Sequence, residues 1–67
     1  MKTIDTRGLS CPQPVVMTNN AIKNNERPFE ILLDSEASRE NVARILKKKK
    51  ITFDTKEKDN YTIYKIK

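Results

Sequence analysis

The chain has 67 residues, among them fourteen Lys and Arg, nine Asp and Glu, one cysteine and no histidine. A chain of this length forms one small domain that buries only about 60 % of the surface its unfolded form exposes, so we expect its core to supply about 3–5 kcal/mol. One cysteine without a histidine excludes an internal disulfide, a Cys/His zinc site and a Cys–His nucleophile pair.

The first half of the chain predicts a strand followed by a helix. Residues 2–6 follow the two-residue alternation of a strand and contain β-branched side chains. The turn after them contains the only glycine. A helix then begins near Pro12, because the residues of one face recur at i, i+3, i+4, i+7 and i+8. These residues are Pro14, Met17, Thr18, Ala21 and Ile22. The helix should end near residues 24–25, since asparagine tolerates a left-handed cap.

A second strand, a second helix and a hairpin follow. Phe29, Ile31 and Leu33 alternate along the strand, and the helix after it is predicted to have Ser38 as N-cap and Glu40 in its first turn. The helix face consists of Val42, Ile45, Leu46 and Lys49. Two strands over residues 51–58 and 61–66 are then joined by a tight turn at Asp59-Asn60.

The order βαβαββ predicts an α+β fold that occupies residues 1–67 as a single domain. Right-handed crossovers place both helices on one face of a mixed four-stranded sheet, which gives a two-layer α/β sandwich. The opposite sheet face is then uncovered. Its apolar side chains are Leu32 and one of two sets in the last strand, either Tyr61 and Ile63 or Thr62, Tyr64 and Ile66. This face either contacts another domain or subunit or carries ordinary scattered surface residues.

The segment from Arg7 to Pro14 contains the only thiol at the start of the first helix. Because proline favours the first helical position, Cys11 is predicted as the N-cap; in a second register Ser10 is the cap and Gln13 completes a capping box. Both registers place the thiol at the positive helix end. The dipole is worth about 0.3–1 kcal/mol to an anion, which lowers a thiol pKa of about 8.5 by less than one unit.

The neighbours of Cys11 limit its chemistry. Pro12 and Pro14 lack N–H groups, so Gln13 is the main backbone donor to the sulfur, and Arg7 could add a favourable charge. Pro14 also occupies the position of the second thiol in a Cys-x-x-Cys motif. With no resolving thiol in the chain, a sulfur held on Cys11 must wait for an external acceptor. The alternative is a small cysteine packed behind the helix.

The stretch Ile4-Asp-x-Arg-Gly-Leu-x-Cys-Pro-x-Pro-Val-x-x-Thr-x-x-Ala-Ile22 closely resembles the signature of the TusA-like (SirA-like) sulfur-carrier family, with its Cys-Pro-x-Pro motif. Ser38-x-Glu-Asn-Val-Ala-Arg44 looks more like the N-terminal domain of the YedF branch, which is associated with selenium metabolism. Relatives of that branch usually have a glycine where this chain has Lys49-Lys50. They are often followed by a second domain, so the chain is either an excised domain or a stand-alone carrier.

The resemblance implies a carrier that receives persulfide sulfur, or selenium, on Cys11 and delivers it to another protein. Pro12, Gln13 and Pro14 would shape the turn, and Arg7 and Gly8 would set the approach to the thiol. The implied partners are a cysteine desulfurase as donor and a sulfurtransferase-type acceptor. We expect a cytoplasmic relay protein that needs no cofactor or metal, binds no membrane and is not a turnover enzyme on its own.

Two other functions remain open from the sequence. Five cations on and after the second helix could bind RNA, with Tyr61 and Tyr64 available for stacking; they are Arg44, Lys47, Lys48, Lys49 and Lys50. Lysines at a helix end also complement its dipole, and a basic surface can dock acidic proteins, which is the role we expect here. The third function is a structural or regulatory interaction module with an inert cysteine.

Overall fold

The computed structural model of the chain describes residues 2–9 and 13–67. Its elements follow the order βαβαββ and confirm the predicted fold. They are β1 (Lys2–Asp5), α1 (Gln13–Lys23), β2 (Phe29–Leu33), α2 (Glu36–Lys48), β3 (Phe53–Glu57) and β4 (Thr62–Ile66). Within the described residues neither helix combines the length and the apolar run that a membrane span requires.

The four strands form one mixed sheet in the order β1-β2-β4-β3. β1 and β2 are parallel, whereas β4 is antiparallel to both β2 and β3. Phe29 of β2 is opposite Ile66 of β4, which is in turn opposite Phe53 of β3. The Asp59-Asn60 turn joins β3 to β4, and the Lys58 amide donates to the Tyr61 carbonyl at 2.8 Å. β2 and β4 are therefore central strands, and β1 and β3 are the edges.

The hydrophobic core lies between both helices and one face of the sheet. The helices contribute Ala21, Val42 and Leu46, and the sheet contributes Ile4, Phe29, Ile31, Leu33, Tyr64 and Ile66. These contacts confirm that the two helices cover the same face. The Tyr64 hydroxyl donates to the Arg39 carbonyl of α2 at 3.2 Å, so this buried phenol has a partner. Burial raises the pKa of Tyr64.

The structure decides which residues of β4 point inward. Tyr64 and Ile66 belong to the core, so Ile63 points to the open face, where it is opposite Leu32 of β2 and Lys56 of β3. Ile63 is only 8 % exposed and Leu32 is half-buried. The next row of the open face contains polar and charged side chains, among them Glu30 and Lys65. The apolar part of this face is therefore small.

Helix α2 begins one turn earlier than predicted. Ser35, not Ser38, is the N-cap: its backbone is extended and its hydroxyl accepts from the Ser38 amide at 3.1 Å. The Ser35 hydroxyl also donates to the hydroxyl of Ser38, which is buried in the first turn. Glu36 occupies the first turn instead of Glu40. The choice of Ser38 was wrong because a serine follows Asp34 directly and can cap the helix from there.

Both helices end in the same hydrogen-bonded motif with a left-handed residue just past the helix. At the end of α2 the Lys50 amide donates to the Lys47 carbonyl and the Ile51 amide to the Leu46 carbonyl, which is a Schellman motif. Lys50 has φ 58°. The equivalent residue after α1 is Asn25, with φ 57°, which confirms the predicted asparagine cap. Asparagine tolerates this conformation, whereas lysine is strained there.

Replacing Lys50 by glycine should therefore stabilise the chain. Glycine removes a left-handed penalty of roughly 1–2 kcal/mol, partly offset by its greater freedom when unfolded, so we expect a net gain of about 1 kcal/mol. For a domain of this size that gain raises Tm by about 4–8 °C, which calorimetry can measure. Lys49→Gly is the matched control, because Lys49 has φ −87° and gains nothing from glycine. Equal stabilisation by both variants would contradict this account.

Candidate functional site

The candidate site is the connection between β1 and α1, where the only thiol occurs in the sequence. Cys11 and Pro12, together with Ser10, lie outside the described residues, so the two predicted capping registers stay open. The structure describes the residues that flank the thiol on both sides. Residues 6–9 lead out of β1, and residues 13–16 form the first turn of α1.

Thr6 anchors the approach to the sheet. Its backbone amide and its hydroxyl both donate to the Leu32 carbonyl, at 3.1 and 2.5 Å. The residue is almost fully buried, so these bonds are shielded from water. They extend the pairing of β1 with β2 by one residue and fix the point at which the chain leaves the sheet.

A tight turn over Thr6–Leu9 follows. The Leu9 amide donates to the Thr6 carbonyl at 3.1 Å, and Gly8 at the third position has φ 79°, as in a type II turn. A Cβ on Gly8 would meet nothing within 4 Å, so backbone conformation and not space requires glycine. The Gly8 amide donates to the Asp34 carboxylate at 2.8 Å. The turn is therefore tied to the end of β2 at two places.

Arg7 is held on the open face of the sheet. Its Nε and Nη2 donate to the two oxygens of Asp5 at 3.0 and 2.9 Å, and its backbone amide donates to the same carboxylate at 3.0 Å. Its guanidinium carbon lies 4.8 Å from the centre of the Tyr61 ring, a cation–π distance. The charge that we expected Arg7 to offer the thiol is thus shared with Asp5.

The Asp5–Arg7 pair shifts the titration of both groups. Hydrogen bonds from the Arg7 side chain and backbone lower the pKa of Asp5 to about 2, and Asp5 raises the pKa of Arg7. Because the folded pKa of Asp5 lies below its ordinary value of 3.8, Asp5 is ionised and paired with Arg7 at neutral pH. Its contribution to stability is lost only as the pH falls from about 4 toward 2.

The first turn of α1 packs the other side of the loop against the domain. Pro14 is buried, and its carbonyl accepts from the hydroxyl of Thr18 at 2.8 Å. Thr18 is itself completely buried, so this bond satisfies its only hydroxyl. Gln13 is exposed at the start of the helix. Pro14 thus fixes the position of the helix start, while Gln13 stays available to solvent.

Two exposed apolar side chains flank the thiol in the sequence. Leu9 is 40 % exposed and Val16 is 45 % exposed, and no other large apolar residue in the described part of the chain is so accessible. The exposure of Val16 could have been predicted from the sequence, because Val16 does not belong to the helix face that contains Met17 and Ala21. Exposed apolar side chains beside a reactive group are suited to contact with a partner protein.

The predicted docking residues do not lie near the connection between β1 and α1, which we call the thiol loop. Because β1, β2 and β3 all run in the same direction, both connecting helices run back in the opposite direction, and the end of α2 lies at the far end of the sheet from the start of α1. The thirteen residues of α2 span about 20 Å. Arg7, Gly8, Gln13 and Pro14 therefore share one end of the domain, whereas the cluster from Lys47 to Lys50 occupies the other.

The acidic residues around the loop have structural roles. Asp5 binds Arg7 and Asp34 binds Gly8, so both carboxylates are engaged with the turn itself. Among residues 2–9 and 13–67 no group of three potential metal ligands comes together. The role of Asp34 could not be read from the sequence, because 26 positions separate it from Gly8.

Comparison with known proteins adds to this geometry. The family model described as Sulfurtransferase TusA matches residues 2–67. The crystal structure of a SirA-like protein from Desulfitobacterium hafniense is similar, with 27 % identity and a TM-score of 0.87; the match covers 98 % of this chain and 95 % of that one. No curated protein matches the chain. The chain thus belongs to the TusA sulfurtransferase family, and its role is that of a sulfur carrier or sulfurtransferase that acts with protein partners.

Proposed function

We propose that Cys11 carries a persulfide, which it receives from a cysteine desulfurase and passes to an acceptor protein. The observation that carries this proposal is a single thiol, in a Cys-Pro-x-Pro sequence, in a chain that belongs to a sulfurtransferase family. With no second cysteine in the sequence, nothing within the chain can expel the bound sulfur.

The chemistry is a pair of thiol exchanges. The Cys11 thiolate attacks the outer sulfur of a persulfide on the donor; a new S–S bond forms, and the donor cysteine leaves as a thiolate. In the second step an acceptor thiolate attacks the outer sulfur on Cys11, and Cys11 leaves as a thiolate. One sulfur atom moves in each step, and no electrons are gained or lost overall.

The described residues suit such a carrier. The turn before the thiol is tied to β2 through Thr6 and Gly8, which limits the freedom of the loop that must enter a partner's active site. Leu9 and Val16 offer exposed apolar contacts beside it. We also assign Pro12, Gln13 and Pro14 to shaping the turn, and we place the protein in the cytoplasm, where its thiol stays reduced.

Intact mass spectrometry tests the proposal. Incubation with a cysteine desulfurase and free cysteine should add one sulfur atom, about 32 Da, and a thiol reductant should remove it. Chain whose thiol has first been blocked with iodoacetamide is the control and should gain nothing. A chain that keeps its original mass with an active desulfurase would contradict the proposal. The same assay with a selenium donor tests whether Cys11 also accepts selenium.

A further inference from the structure

The net charge of the chain is concentrated at the end of the domain away from the thiol. We call this the basic end and define it as residues 23–28, residues 47–52, Lys2, Asp54 and Lys67. It contains eight cations and two carboxylates, net +6, while the rest of the chain has six cations and seven carboxylates, net −1. The formal net charge of +5 therefore comes entirely from the basic end.

The topology brings these residues together. The helices α1 and α2 both finish here, β2 begins here, and β4 finishes here because it is antiparallel to β2. The Lys67 amide donates to the Thr52 carbonyl at 3.4 Å, and the side chain of Lys2 binds Glu26. Residues that are distant in the sequence thus form one surface.

Most cations of the basic end form no ion pair with any residue that the structure describes. Lys2 pairs with Glu26, and Lys67 pairs with Asp54 at 3.2 Å. The other six are exposed and form no ion pair with any described residue; they are Lys23, Arg27, Lys47, Lys48, Lys49 and Lys50. Helix dipoles favour cations in the last turn, but six like charges on one surface repel one another. An anionic partner would relieve that repulsion.

The aromatic and apolar residues indicate what kind of anion binds. RNA binding commonly uses exposed aromatic rings, but Tyr64 is buried and Tyr61 stacks on Arg7 on the open face. A membrane surface needs apolar anchors. Leu9 and Val16, the exposed large apolar residues of the described chain, lie instead at the opposite end of the domain, which we call the thiol end because the connection between β1 and α1 contains Cys11. Seven of the eight cations are lysines, which act as point charges without the fork that binds phosphate in a bidentate way.

We infer that the basic end docks on an acidic patch of a partner protein and holds the carrier while the thiol end stays free. The two ends are about 20 Å apart along α2, and the longest dimension of the domain is 28 Å. A protein whose contacts are confined to the basic end therefore leaves residues 6–9 and the start of α1 uncovered. A second protein can then exchange sulfur with Cys11 without displacing the first.

A titration with a synthetic polyglutamate peptide tests this inference at near-physiological salt. In NMR spectra of the labelled chain, shifts should be confined to the basic end, that is to residues 23–28, residues 47–52, Lys2, Asp54 and Lys67. The double variant Lys48→Glu/Lys49→Glu should bind at least about tenfold more weakly, and the milder Lys48→Gln/Lys49→Gln should also lose affinity. Lys56→Glu/Lys58→Glu is the matched control, because it changes the net charge equally but away from the basic end.

Alkylation of Cys11 in the complex provides the second measurement. The rate should equal that of the free chain, and it should be unchanged in all three double variants. Equal weakening by the control pair, shifts spreading to residues 7–9 and 13–16, a protected Cys11, or tighter binding of an oligouridylate of the same charge would each overturn the inference. These outcomes do not depend on whether Cys11 accepts sulfur, so docking and sulfur carriage can fail separately.

Discussion

Leu33→Ala should leave a large share of the chain unfolded at 25 °C. Leu33 is completely buried in β2, a central strand whose neighbours are β1 and β4. Truncating a buried leucine costs about 2–5 kcal/mol through lost burial and the cavity that remains. A chain of 67 residues has only about 3–5 kcal/mol of stability to lose. Urea unfolding followed by circular dichroism measures the loss.

The neighbouring leucine is the matched control. Leu32 has the same side chain in the same strand, but it is half-buried and points to the open face beside Ile63. Truncating it removes less buried surface and creates no enclosed cavity, so we expect a cost of about 1 kcal/mol. If Leu32→Ala destabilised the chain as much as Leu33→Ala, the core would not lie on the face that we describe.

Cys11→Ser should abolish sulfur loading completely. Serine has a similar size, but its hydroxyl is a far weaker nucleophile than a thiolate and cannot accept sulfur to form a persulfide. In the desulfurase assay the variant should therefore keep its original mass, while the unmodified chain gains about 32 Da. Because no other cysteine is present, no second residue can take over the reaction.

Two controls separate the chemistry from folding. Urea unfolding of Cys11→Ser should give a midpoint close to that of the unmodified chain, which would show that the loss of loading does not arise from unfolding. Ser10→Ala alters the adjacent residue but keeps the thiol, so it should still load sulfur. A Cys11→Ser variant that gained the same mass would refute the assignment of Cys11 as the carrier residue.

Local patterns in the sequence predicted most of the fold. Helical spacing from Pro14 to Ile22 and the alternation of Phe29, Ile31 and Leu33 identify the elements, because each pattern has the period of one kind of structure. The alternation in β4 could not decide which side chains point inward, since the residues of both faces are apolar: Tyr61 and Ile63 on one, Tyr64 and Ile66 on the other. That choice depends on the register with β2, which places Tyr64 opposite Ile31.

The candidate site was predicted less completely. The thiol, its prolines and Gly8 follow from the sequence, whereas the contacts of Asp34 with Gly8 and of Arg7 with Tyr61 join distant segments that only the folded chain brings together. The separation of the lysine cluster from the thiol loop is different. It follows from the common direction of β1, β2 and β3, since a helix that connects two strands of the same direction must run back along the sheet.

Asp34 has a further consequence for how the thiol loop responds to a partner. Its side chain holds the Gly8 amide, and the next residue, Ser35, caps α2. Two consecutive residues, Asp34 and Ser35, therefore bind the Thr6–Leu9 turn and the first turn of α2, respectively. A partner that pulls the Thr6–Leu9 turn away from the domain must also work against the start of α2, so this turn resists displacement more than the exposure of Arg7, Gly8 and Leu9 suggests.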